Sequence, residues 1–197
     1  MMGESMQDIL YLLILLLGIA TYLSAVIQML SGQYSPSFFS RGIWFLLGIN
    51  SFAGVLLGEG SQASVILAGT LFIGNAAVFA VSYKKGSRDF GFVEKISLVL
   101  LLISGIAWAV LDAPFVGLVI SLLAHFIGGI PTIWRVAKHP ESEQAYHWYF
   151  FFLASILSLA ASGIGDFKAV LFPVYFALFD GLIILLANRK RLFKASK

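Results

Sequence analysis

The chain has 197 residues, no cysteine and only five prolines. The missing cysteine excludes disulfides, thiolate metal centres and thiol redox chemistry. Charge is the second scarcity: Asp, Glu, Lys and Arg make up 12% of the residues, against roughly 25% in an ordinary soluble domain. With 59% hydrophobic residues and a mean hydropathy of +0.92, the composition excludes a soluble domain, a disordered chain and a nucleic-acid binder. There is no phosphate-cradling glycine loop and no helix-borne His-Glu or Asp-Asp metal pair. Intramembrane polar groups are too few for a catalytic set, so an enzyme, a bound cofactor and a metal centre are not expected.

What is present is a series of long apolar runs. A membrane-crossing helix needs about 20 mostly apolar residues to span about 30 Å of hydrocarbon. Seven segments fit: 9–30, 42–57, 63–81, 96–111, 115–134, 146–161 and 169–187. None shows the two-residue alternation of a transmembrane strand, so the expected fold class is an all-α membrane protein with seven spans. The first run follows Glu4 and Asp8 rather than Lys or Arg, which predicts a retained helix and not a signal peptide. The connections 58–61, 112–114 and 163–166 are too short for a soluble domain.

Loop charge sets the expected orientation. With seven spans, Arg41, Lys84, Lys85, Arg88, Lys95, Arg135, Lys138, Arg189, Lys190, Arg191, Lys194 and Lys197 fall on one side, and Lys168 alone falls on the other. The positive-inside tendency then predicts an outside N-terminus and a cytoplasmic C-terminus in a plasma (inner) membrane. The basic residues read as topology signals rather than as a binding patch.

The chain also carries an internal repeat. A shift of 104 aligns Pro36 with Pro140, Trp44 with Trp148, Phe45 with Tyr149 and Ser51 with Ser155. A shift of 105 aligns Asn75 with Asp180, Val78 with Ile183 and Lys84-Lys85 with Arg189-Lys190. The expected organisation is a three-helix repeat over 1–90, a linker helix within 91–112, and a second repeat with a basic tail over 113–197. An odd linker helix makes the two repeats parallel, leaving a central seam.

This layout resembles the SWEET and PQ-loop superfamily (MtN3-like), whose members have a three-plus-one-plus-three arrangement and a Pro-Gln pair near the inner end of the first helix of each repeat. The aligned pairs here are Ile27-Gln28 and Pro131-Thr132, so each half keeps one member. The second and sixth segments carry no proline, where the sugar carriers of that family have one. The resemblance implies a carrier of a small polar solute, sugar-like or another metabolite, working by alternating access. It also implies that Asn75 and Asp180 flank the substrate site, that Asn50, Ser51 and Ser155 contribute to it from mid-helix, and that Gln28 and Pro131 form a hinge or gate. A non-transporting receptor, scaffold or accessory protein is the other reading. The layout is also compatible with a homo-oligomer.

Taken as residues alone, the same positions have plainer readings. Asp180 is the one carboxylate that cannot be placed at a rim, and a charge at mid-membrane costs at least about 2.5–3.5 kcal/mol. It reads as a lumen residue that binds a cationic or hydroxyl-rich solute or couples to protons; together with Asn75 it can equally act as interhelical hydrogen-bond glue. His125 reads either as a proton-relay partner of Asp180 or as a neutral histidine bonded to a neighbour. Ser155 fits close packing, Trp44 and Trp148 fit interface anchors, and Pro131 and Pro173 fit static bends as well as hinges. The His139–His147 loop matches no metal motif; Ser142 as a helix cap, with Glu141 and Glu143 beside it, explains its composition.

Overall fold

The computed structural model describes residues 4–33, 36–88, 90–140, 146–163 and 165–194, with only the backbone given for 146 and 190–194. The described residues form seven helices: α1 (Glu4–Leu30), α2 (Phe38–Leu57), α3 (Gln62–Lys85), α4 (Phe92–Ala109), α5 (Pro114–Lys138), α6 (Tyr146–Ser162) and α7 (Phe167–Lys194). Six are long and apolar enough to cross a membrane; α6, at 17 residues, is a shorter apolar helix. Among the described residues no strand forms beyond a single bridge between Ser37 and Ser87. The chain is thus built as a helical, membrane-embedded protein.

Local chemistry sets the helix ends. Ser37 and Ser61 sit in extended conformation before α2 and α3, and their hydroxyls accept from Ser40 N (3.3 Å) and Ser64 N (3.1 Å). Glu94 reaches back from the first turn of α4 to accept from Gly91 N at 2.9 Å. Helix α4 stops at Ala109, two residues before the apolar run ends. Pro114 opens α5 and holds Ala113 out of helical geometry, while Asp112 takes a positive φ of 48° to turn the chain.

The helices pack in a definite order. α3 lies between α1 and α2, and α7 contacts both α5 and α6. Across the seam, α1 packs on α6 and α2 on α5, and α3 touches α6 and α7. α4 lies at the periphery against α5 and α2, with Leu102, Ile103 and Ile106 exposed.

The two ends of the bundle differ. At one end Phe38 N donates to Ser87 O (2.8 Å) and Ser87 N to Pro36 O (3.1 Å), joining the α1–α2 and α3–α4 connections. Lys84, Lys85, Arg88, Arg135 and Lys138 cluster in sequence around this end. At the other end the α2–α3 and α6–α7 connections meet. Lys168 Nζ lies 2.8 Å from Glu59 Oε2, Ser61 Oγ lies 2.5 Å from Ser162 Oγ, and Ser64 Oγ donates to Ala169 O at 2.6 Å.

Candidate functional site

Between these ends the seam is divided. Its half nearer Glu59 and Lys168 is filled by one buried apolar cluster that includes Ile14, Val55, Leu67, Leu118, Phe151, Phe172 and Phe176. Its other half holds a cavity of about 640 Å³. The cavity runs from Asp180 and Asn75 at mid-helix depth to the exposed residues Gln33 and Arg135 at the basic end. Helices α1, α2, α3, α5, α6 and α7 all contribute to its wall, and α4 adds Val93 and Glu94.

Two neighbouring packing features shape the deep end. At Gly74 any Cβ would overlap the Tyr22 ring, so glycine there lets α1 approach α3 and brings the Tyr22 hydroxyl to the adjacent Asn75. Asn75 Nδ2 donates to Leu71 O at 3.0 Å and points to Tyr22 Oη at 3.4 Å. Gly129 does the same on the far wall, where a Cβ would meet the Phe179 ring beside Asp180.

Asp180 is 1% exposed and is the one buried carboxylate among the described residues. Among the described residues its Oδ2 has no hydrogen-bond partner, and neither does Asn75 Oδ1. A buried polar atom without a partner is costly, so these two acceptors call for a donor from within the cavity, water included.

The sequence-selected residues divide into two groups. Asn75, Asp180, His125, Gln28, Pro131 and both tryptophans, Trp44 and Trp148, line the cavity. His125 is also held from one side: its Nδ1 lies 2.8 Å from Tyr175 Oη. Asn50, Ser51 and Ser155 are buried but lie outside the cavity wall. Asn50 Nδ2 donates to Ser104 Oγ and, at 2.6 Å, to Ser121 Oγ, which ties α2 to α4 and α5. Ser155 Oγ bonds back to Phe151 O at 2.9 Å within its own helix. Pro173 lies buried within α7. The loop residues Glu141, Ser142 and Glu143 lie outside the described residues.

Tyr22, Tyr175 and Arg41 were not among the residues the sequence singled out. Arg41 reads from sequence as a topology charge, yet it lines the cavity with its guanidinium 5.1 Å from the Trp44 ring. The (i, i+3) spacing of Arg41 and Trp44 on α2 was the available signal. Tyr22 follows Thr21, the repeat counterpart of His125, and both Tyr22 and Thr21 line the cavity. A second concavity, of about 700 Å³, lies between α1 and α3; its wall carries no charged side chain and includes the exposed Leu12, Ile19, Leu23 and Ile73. It lacks converging groups to orient a polar solute.

No protein-family model matches this chain, and no curated protein matches it in sequence.

Proposed function

We propose that the chain is a carrier for a small polar solute, working by alternating access at a central site between two parallel three-helix repeats, α1–α3 and α5–α7, with α4 as linker. The observation that carries this reading is the one-sided cavity. It holds a buried carboxylate with one oxygen unpartnered among the described residues, opens at the basic end, and is shut at the other end by packed phenylalanines and a polar latch. A single-ended pocket at mid-membrane depth is one of the two states an alternating-access cycle requires. The packing order supports the repeat: α1 on α3 corresponds to α5 on α7, α2 on α3 to α6 on α7, and α1 on α6 to α5 on α2. The repeat partners Asn75 and Asp180, and Trp44 and Trp148, face the same cavity, as expected of two halves around one axis.

On this reading the protein is a divergent SWEET or PQ-loop relative, with its N-terminus outside and its cavity open to the cytoplasm. The test is uptake into proteoliposomes from a panel of sugars, amino acids, amines and nucleosides. Saturable, Asp180-dependent uptake of one class supports the carrier. The phenylalanine plug also fits a non-transporting receptor, and solute binding without flux would favour it.

A further inference from the structure

The polar and aromatic groups at the deep end of the cavity carry information about what fits there. The two partnerless buried atoms at that depth, Asp180 Oδ2 and Asn75 Oδ1, are both acceptors. The donor side of the Asn75 amide is already taken by Leu71 O and Tyr22 Oη. A sugar site needs donors and acceptors in near balance, because each hydroxyl does both. Two acceptors, one of them a carboxylate, suit a positively charged ligand better than a polyol.

The roof above them is aromatic and continuous. Tyr22 meets Phe151 edge to face at 6.1 Å, Phe151 meets Phe176 at 5.1 Å, Phe176 meets His125 at 5.0 Å, and His125 meets Trp44 at 4.6 Å. All five rings line the cavity. Phe176 and Asp180 are four residues apart on α7, so ring and carboxylate share one face. Ring faces attract cations, and aromatic walls beside an acid recognise ammonium groups. The cavity already shows this preference in the Arg41 guanidinium over Trp44. Arg41, over the Trp44 ring, and Arg135 toward the mouth bring positive charge, accompanied by Glu94, and Asp180 is the one acidic side chain of the deep end among the described residues.

We propose that this deep end is a binding site for a small organic cation, a molecule carrying an ammonium group, with Asp180 as its counter-ion and the Tyr22–Trp44 ring series as its wall. This deepens the carrier reading, and rests on it for the claim that the bound cation is cargo. The volume of about 640 Å³ suits a small molecule and its remaining hydration.

The experiment uses the purified full chain in nanodiscs. Choline, methylammonium, the neutral choline isostere 3,3-dimethyl-1-butanol and glucose are titrated by calorimetry. The expected result is saturable binding of choline or methylammonium, with the neutral isostere weaker by at least about tenfold. Asp180→Asn should weaken the cation by about tenfold or more and remove most of its advantage over the isostere. The wild-type comparison of choline with its isostere needs no variant, so it stands even if Asp180→Asn fails to fold. Equal binding of the isostere, binding of glucose in preference to both cations, or binding of neither cation would overturn the proposal. A proteoliposome flux assay separates the two readings. Asp180-dependent choline binding without choline flux retains the cation site and removes the carrier, whereas glucose flux without cation binding does the reverse.

Discussion

Asn50 offers a sharp test of which polar side chains hold the bundle and which serve the cavity. Its amide donates to Ser104 and Ser121, and Ser104 Oγ donates onward to Gly117 O at 2.6 Å, so one side chain links α2, α4 and α5. Asn50→Leu keeps the branching and the number of side-chain heavy atoms and removes both donations. Interhelical hydrogen bonds in membranes average about 0.6 kcal/mol each, with a maximum near 1.7, so the two together are worth about 1–3 kcal/mol. The low end is expected, because Ser104 and Ser121 lie 3.2 Å apart and retain each other as partners. Unfolding in mixed micelles by stepwise addition of a denaturing detergent reads this cost directly. The expected outcome is a loss of about 1 kcal/mol with solute binding unchanged. A variant of unaltered stability that loses binding by an order of magnitude would refute the reasoning and return Asn50 to the substrate site.

Other consequences can be checked alongside. Gly74→Val should drive a side chain into the Tyr22 ring and destabilise the fold by about 1–3 kcal/mol in the same unfolding assay. Because the chain has no cysteine, Ser61→Cys with Ser162→Cys gives a clean crosslinking pair at two hydroxyls 2.5 Å apart. Oxidation should abolish uptake, and a reductant should restore it; full uptake in the fully crosslinked protein would show that this end need not open. Glu59→Gln removes an exposed ion pair and should leave unfolding unchanged, in contrast to Ser64→Ala, which removes a buried bond to Ala169 O.

The helices themselves were legible because continuous apolar runs admit few alternatives, and their ends shifted by only a few residues where capping serines or Pro114 intervened. The repeat alignment was more informative than composition, since it paired Asn75 with Asp180 and Trp44 with Trp148 before any geometry was known; all four line one cavity. Asn50 and Ser155 show where such reading stops. Both sit at mid-helix with small polar side chains, but which way each points depends on how its helix is rotated about its own axis. In a helix apolar on every side, no hydrophobic stripe fixes that rotation. Tyr22 and Arg41 were hidden for a related reason. A tyrosine inside an apolar run, and an arginine at a helix end, each has an ordinary explanation until a neighbouring helix places a cavity beside it.

The central claim is that the seam opens alternately to the two sides. Thr21 lines the deep part of the cavity and is buried, so Thr21→Cys is the sole thiol in an otherwise cysteine-free chain. An impermeant thiol reagent applied to either side of sealed vesicles measures its accessibility without any knowledge of the cargo. Alternating access predicts labelling from the basic end and, more slowly, from the Glu59–Lys168 end. Labelling from the basic end alone, however long the exposure, would contradict it.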